Sequence, residues 1–455
     1  MKSLFGTDGI RGEAGKFPLD APTVNIIGSS LASYLSQTSK SSCSIVIGRD
    51  TRESGGWLER ALVEGASKAG AECLSAGVIT TPGVAYLTRV LNANAGVVIS
   101  ASHNPYHDNG IKIFSPSGQK IADSVERLIE ADIFAKRMTT SVREDAVPAH
   151  FSDQQLQARY LRFLEDEIGA DLKLEGLKIV LDCANGASSE LAPSLFRNLG
   201  ASVVAINSSP DGRNINLNCG SLHIESLQEK VIAEKADLGV AFDGDADRSL
   251  FVDSQGNFID GDATLWVLSN QLLKQKQLNG NFVVATVMSN IGLELALRSR
   301  GIELVRTDVG DKYVLEELLR RKGSLGGEQS GHIIMPSLSL AGDGMITALS
   351  LCRAMTEAGK ALSDLVSGFQ QYPQILLNVK VREKIPFGEL GAVQSVVNEV
   401  QERLSQNGRL LLRYSGTEPL ARVMIEGANQ NEIENYAEKI ALAIREKIGA
   451  ECSAS

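Results

Sequence analysis

The feature that most limits how this chain folds is a beat repeated between residues 44 and 307. A short apolar run ends in a polar, often glycine-bearing loop, and a helix-length amphipathic segment lies between one run and the next. In a first unit, Ser44–Gly48, Glu72–Val78 and Val97–Ile99 read as strands. Helices fall at about 21–37 and 54–70, another opens at Thr80-Thr81-Pro82, and one more spans about 120–136. A second unit has strands at Leu177–Asp182, Ala201–Ile206 and Gly239–Phe242 around a helix at about 188–199. A third has strands at Phe282–Val287 and Ile302–Thr307, with helices near 263–275 and 291–300. Such alternation implies parallel sheets with helices on both faces. After about 368 the pattern changes to strands at 374–381, 409–413 and 422–427 with helices near 389–405 and 430–447, a smaller α+β domain. At 455 residues the chain is well beyond the size at which one core stops growing, so it divides, here at 1–153, 154–253, 254–367 and 368–455.

A net charge of -10 disfavours nonspecific nucleic-acid binding, so any basic function must be focal. The six cysteines form no Cys-x-x-Cys pair, which argues against a zinc site or a disulfide framework. The N-terminus lacks the apolar core of a signal peptide, and no run approaches the ~18 apolar residues of a membrane span. The expectation is a soluble cytoplasmic protein, with no nucleic-acid or membrane partner.

Five loops carry chemistry. Val97–Ile99 delivers Ala101-Ser102-His103-Asn104-Pro105 to the carboxyl end of a strand, where open α/β sheets place ligands. Serine is a poor nucleophile unless a neighbour takes its proton or stabilises its charge; His103 is adjacent and Lys112 follows after a turn. Taken alone, the segment reads equally well as a surface turn. Phe5-Gly6-Thr7-Asp8-Gly9-Ile10-Arg11-Gly12 suits a tight turn presenting Arg11 to an anion, or an ordinary N-terminal turn.

Asp243, Asp245 and Asp247 stand two apart, which in an extended segment puts all three on one side. Carboxylates that close repel without a cation, which points to a hard divalent metal. A calcium EF-hand loop would need glycine and glutamate where Arg248 and Ser254 stand; a solvated acidic turn is the remaining alternative. Mg2+ suits the site because it takes few carboxylates plus a phosphate oxygen, and Arg248 would face the same phosphate. In Gly326-Gly327-Glu328-Gln329-Ser330-Gly331-His332, Glu328 and Ser330 are spaced to grip adjacent sugar hydroxyls, with Gln329 and His332 nearby; a glycine turn capping a helix reads as well. Arg413, Ser415, Gly416, Thr417 and Arg422 offer guanidinium forks, hydroxyls and backbone amides to a phosphate, or else form a solvated basic strand end. No Walker A or Gly-x-Gly-x-x-Gly sequence is present. One reaction uses four of these loops, those of Ser102, Asp243–Asp247, Glu328 with Ser330, and Arg413–Arg422: phosphoryl transfer on a sugar that already carries a phosphate at its other end.

On four of these motifs, in this order, the chain resembles the phosphohexose mutases (the phosphoglucomutase/phosphomannomutase superfamily) along essentially its whole length. The Phe5–Gly12, Gly327–His332 and Arg413–Leu420 segments look most like the bacterial branch acting on amino-sugar phosphates. The resemblance implies three similar α/β/α domains with mixed sheets plus a C-terminal domain of the TATA-binding-protein-like type, around a central cleft. It implies a phosphate on Ser102 and one Mg2+ bound by that phosphate with Asp243, Asp245 and Asp247. It also implies a hexosamine 1,6-bisphosphate that turns around in the site and serves in trace as primer. The reaction implied interconverts glucosamine 6-phosphate and glucosamine 1-phosphate, feeding UDP-N-acetylglucosamine and peptidoglycan. Arg11, His103, Lys112 and Arg248 become candidates for proton handling or charge stabilisation, and Gly310, Asp311 and Lys312 for contacts from the third domain. A homodimer stays open. Tyr414 stands where the family pattern has lysine, and Ala341 where it has threonine, which suggests different tuning of the same reaction. The rival readings are a broader phosphoglucomutase/phosphomannomutase, a metal-dependent sugar-phosphate phosphatase, and a noncatalytic sugar-phosphate sensor.

Overall fold

A computed structural model describes residues 3–6, 8–38, 43–136, 153–415 and 418–450. The chain forms two compact units, Met1–Val287 with Val305–Val366, and Met288–Leu304 with Ser367–Ser455.

The first unit holds the repeated beat. Its N-terminal sheet runs in the order Phe5–Gly6, Gly9–Glu13, Asp108–Phe114, Ala95–Ile99, Ser44–Arg49, Glu72–Val78. Ser44–Arg49 is parallel to both of its neighbours, as the alternation requires. Asp108–Phe114 is antiparallel to Ala95–Ile99, so the sheet is mixed, as the family resemblance implies, where strand–helix alternation by itself suggests a parallel one. The physical reason is length. Only residues 100–107 join these strands, and a parallel crossover needs about a dozen residues or more. The same limit recurs twice. Residues 243–248 return the chain from Leu238–Phe242 antiparallel into Ser249–Asp253, and residues 328–332 return it from Gly326–Gly327 into Ile333–Ile334. Each short return is one of the loops singled out in the sequence. The chemistry therefore sits on hairpin connections that follow buried strands.

Two helix starts near the serine and aspartate loops are fixed by side-chain caps. Thr80 accepts the Gly83 N–H at the head of Thr81–Val90, with Pro82 in the first turn, and Asp343 accepts the N–H groups of Met345 and Ile346 at the head of Gly344–Ala358. The buried sides of Ala21–Thr38 and Asp123–Lys136 join Ile45, Ile47, Val97, Ile99, Ile111 and Ile113 in one hydrophobic core beneath the serine loop.

The second unit contains an antiparallel three-stranded sheet ordered Gln374–Lys380, Leu420–Glu426, Arg409–Tyr414. Helices Gly391–Leu404 and Gln430–Ile448 bury Val393, Val397, Val400, Ile433, Ile440 and Ile444 against Val379, Val423 and Ile425. Helix Ile291–Ser299 belongs to this unit; Asn290, its cap, donates to the carbonyl of Tyr372.

Candidate active site

The serine loop and the aspartate loop meet backbone to backbone. A Cβ on Gly244 would lie 2.5 Å from the Ser102 carbonyl oxygen, so glycine is what permits the approach. Ser102 is buried and takes a left-handed backbone (φ 51°). Its hydroxyl donates to Asp243 Oδ2 at 2.6 Å and lies 3.3 Å from His103 Nδ1.

Oxygens of Asp243, Asp245 and Asp247 all lie within 4.8 Å of one another, and all three residues are buried. They converge through a tight turn with Ala246 at φ 55°, not through the extended segment expected from their spacing. The turn is forced by the short return to Ser249–Asp253. Asp245 Oδ1 and Asp247 Oδ1 are buried and accept no hydrogen bond among the described residues. Burial, then Asp247 and Asp245, push the Asp243 carboxyl well above its ordinary value. Unsatisfied buried carboxylate oxygens converging on one point are the donor set of a hard divalent cation.

Lys112 lies on the strand after the serine loop. Its ammonium pairs with Asp8 (3.1 Å), Asp245 (2.9 Å) and Asp247 (3.3 Å). Burial alone would lower its pKa, but these three carboxylates outweigh burial and keep it charged. Burial first, and then Arg248 and Arg11, lower His103 to about 4. Burial acts the same way on His332, but Asp247, Asp311 and Glu328 prevail and raise it to about 9.

A cleft of about 450 Å³ opens over this cluster, lined among others by Arg11, His103, Asp247, Arg248, Gly310, Asp311, Glu328 and His332. Arg248 Nη1 lies 3.3 Å from His103 Nδ1, and Arg11 donates to Asn104 Oδ1 at 3.4 Å. Glu328 Oε1 accepts the Gly310 N–H at 3.1 Å, and Ser330 donates to its other oxygen at 3.3 Å. Gln329 instead donates to Asp260, and Lys312 pairs with Asp123 at 2.6 Å.

Four family descriptions match the chain in order: phosphoglucomutase/phosphomannomutase alpha/beta/alpha domain I over residues 2–140, domain II over 158–256, domain III over 260–372 and the C-terminal domain over 376–443. A phosphoglucosamine mutase of Solibacter usitatus is 50% identical, covering 98% of this chain and 99% of that one. One from Geobacter sp. (strain M21) is 46% identical, covering 99% of each. The chain belongs to the phosphoglucomutase/phosphomannomutase family. It is an intramolecular phosphotransferase. The same fold occurs in a phosphoglucomutase/phosphomannomutase family protein of Burkholderia thailandensis (TM-score 0.79, 23% identity, 99% of this chain and 100% of that one). It occurs also in an Aspergillus fumigatus N-acetylphosphoglucosamine mutase described in complex with GlcNAc-6P and magnesium (TM-score 0.61, 17% identity, 98% and 96%).

In the second unit of this mutase, Arg413 and Arg422 stand directly opposite on neighbouring strands. Arg422 pairs with Glu418 at 3.2 Å, while its buried Nε has no partner among the described residues. Ser415 accepts the Glu418 N–H at 3.3 Å; Gly416 and Thr417 lie outside the described residues. Tyr414, the departure from the family pattern, stacks on Phe387 (centroids 4.2 Å apart) and donates its hydroxyl to the Ile385 carbonyl.

Sequence reasoning missed Asp8, which joins Arg11, Lys112 and Lys120, and Thr81, whose hydroxyl donates to Asp245. Asp8 stands inside the Phe5–Gly12 motif, whose glycine spacing points to Arg11.

Proposed function

We propose that this mutase interconverts glucosamine 6-phosphate and glucosamine 1-phosphate in the cytoplasm through a phosphoryl group carried on Ser102. The observation that carries the reading is the Ser102 hydroxyl, 2.6 Å from Asp243 among three buried carboxylates. Relatives 44–50% identical over nearly the whole chain and named phosphoglucosamine mutase support the choice of sugar.

The P–O bond to Ser102 Oγ breaks as one forms to the free hydroxyl of the sugar phosphate, the proton lost by that hydroxyl is balanced by one gained at Ser102 Oγ, and a 1,6-bisphosphate results. The bisphosphate turns, and its other phosphoryl group returns to Ser102, so a full cycle leaves the enzyme unchanged and releases no phosphate. A trace of hexosamine 1,6-bisphosphate keeps Ser102 loaded. Asp243, Asp245 and Asp247 would hold Mg2+, for which the unsatisfied Oδ1 atoms of Asp245 and Asp247 are suited. When bound, the ion supplies charge neutralisation at the phosphoryl oxygens. Arg248 and Arg11 add fixed positive charge around the same group, and Lys112, tied to three carboxylates, adds charge rather than shuttling a proton. Glu328, Ser330 and His332 take the sugar hydroxyls with Gly310 and Asp311. Arg413, Ser415 and Arg422 take the phosphate that does not react.

The test compares rates with glucosamine 6-phosphate, glucose 6-phosphate and mannose 6-phosphate, each with a trace of the matching bisphosphate. Glucosamine 6-phosphate is expected to turn over fastest. Equal or faster turnover of a plain hexose phosphate would overturn the amino-sugar assignment, and stoichiometric release of inorganic phosphate would overturn the mutase route.

A further inference from the structure

The segment Asp50-Thr51-Arg52, at the end of strand Ser44–Arg49, lines neither the cleft nor the metal-binding carboxylates. Both of its charged side chains are nonetheless fully buried. A guanidinium has five N–H donors in a fixed fork, and in Arg52 all five are used. Nε donates to Asp50 Oδ2 at 2.9 Å. Nη1 donates to the carbonyls of Pro105 and Asp108, the latter at 3.0 Å. Nη2 donates to those of Ser102 at 3.0 Å and Asn104 at 2.7 Å. Three carbonyls of the serine loop and that of Asp108, the first residue of the next strand, thus converge on a single side chain. The Ser102 N–H donates to Ser100 Oγ at 3.0 Å, and that hydroxyl donates to Asp50 Oδ2 at 2.6 Å. Both backbone groups of Ser102 therefore end on the same buried ion pair. Asn216 adds a second clamp, donating to the Ser102 carbonyl at 2.9 Å and to that of Asn104 at 3.1 Å.

A left-handed backbone costs a serine roughly 1 kcal/mol or more, so it persists only where its surroundings impose it. Fixing the N–H and C=O of one residue fixes its Cα–Cβ direction, leaving only χ1 to place Oγ, and the Asp243 carboxylate accepts from it at 2.6 Å. We propose that Arg52 is the positioning residue for phosphoryl transfer at Ser102, imposing the left-handed loop through bonds that no other side chain can make as a set. The proposal rests on Ser102 being the transferring hydroxyl. That oxygen must serve as leaving group in one half-reaction and as acceptor in the other, so a misplacement penalises both halves. Lysine, with three donors on a point charge, keeps the buried charge but cannot span four carbonyls and a carboxylate.

The experiment uses full-length Arg52→Lys, Asn216→Asp and Ser102→Ala with glucosamine 6-phosphate and trace bisphosphate, reading kcat, KM and thermal unfolding. Arg52→Lys is expected to lower kcat roughly 100-fold per folded molecule, the size of effect an ångström of misplacement produces, with KM within about threefold. Asn216→Asp keeps a side chain that tolerates the left-handed backbone of that position but turns a donor into an acceptor facing two carbonyls. It is expected to lower kcat about 10-fold, again without a matching rise in KM. A folded Arg52→Lys with the parent's kcat, or a change confined to KM, overturns the role. If Arg52→Lys does not fold, Asn216→Asp decides by the same criterion. A Ser102→Ala variant as active as the parent overturns the serine route itself, whereas an inactive one beside two fully active clamp variants overturns the positioning role alone.

Discussion

Ser102 and Asp243, 141 positions apart in the chain, share a 2.6 Å hydrogen bond between a hydroxyl and a carboxylate that are both out of reach of solvent. The contact makes one site of two hairpin returns from two different sheets. Ser102→Ala removes the hydroxyl and little else, since alanine meets the same backbone demand as serine at that position. One hydrogen bond is worth about 0.5–1.5 kcal/mol, so the melting temperature is expected to change by only a few degrees. Mutase turnover is expected to fall on the order of 10³-fold or more, because the substitution removes the hydroxyl proposed to carry the phosphoryl group. A coupled assay and a melting curve on one preparation check both halves.

The aspartate triplet gives a metal prediction. Chelation with EDTA is expected to abolish turnover and added Mg2+ to restore it. Asp245→Asn is expected to raise the Mg2+ concentration needed for half-maximal rate by roughly 10-fold or more, since it removes one charged ligand from a set of three. Titrating activity against free Mg2+ for parent and variant measures this. An unaltered requirement would remove Asp245 from the metal site.

How much of this was legible in the sequence depended on whether the information was local. Asp243, Asp245 and Asp247 announce themselves because like charges two residues apart need a reason. The way they converge was misjudged, because the turn is dictated by the short link between two antiparallel strands and not by side-chain alternation. The same short links make the sheets mixed, as the family resemblance implies, where alternation alone suggests parallel ones. Arg52 and Asn216 were silent for a different reason. Each acts on a partner 50 or 114 positions away in the chain, and no local pattern marks such residues. Gln329 sits inside a legible motif, yet its amide serves Asp260 at the head of helix Gly261–Lys274, a contact the motif does not encode.

Asp343 gives a pH prediction. Its carboxyl is raised to about 6 chiefly by burial, against the hydrogen bonds from Tyr160 and from the N–H groups of Ile346 and Met345, with Asp247 adding to the rise. A folded-state pKa above the unfolded value means that the folded state holds the proton more tightly. This group's contribution to stability is therefore complete below about pH 4 and is lost as pH rises through 6. About two units correspond to on the order of 3 kcal/mol. Asp343→Asn stays neutral and can still accept from Tyr160 or cap the helix. Its stability relative to the parent is expected to improve by 1–3 kcal/mol, in order of magnitude, between pH 4 and pH 8. Urea unfolding at several pH values reads this, and a parallel pH dependence in both proteins would show that Asp343 titrates normally.

Arg413 and Arg422 face each other across an antiparallel pair, an arrangement that like charges disfavour. Glu418 offsets part of the repulsion by pairing with Arg422, yet the buried Arg422 Nε still lacks an acceptor among the described residues. A phosphate would satisfy both guanidinium groups, so the pair is a cost borne by the free protein and recovered on binding. Removing one arginine should then separate binding from stability. Arg413→Ala is expected to leave the melting temperature unchanged or higher, because it relieves repulsion, while raising KM for glucosamine 6-phosphate by roughly 10- to 100-fold, the loss of one or two charge-assisted hydrogen bonds. Were the two arginines structural, the signs would reverse, with a lower melting temperature and an unaltered KM. Inorganic phosphate supplies an independent readout: it should raise the melting temperature of the parent more than that of Arg413→Ala, since a ligand stabilises only the state that binds it.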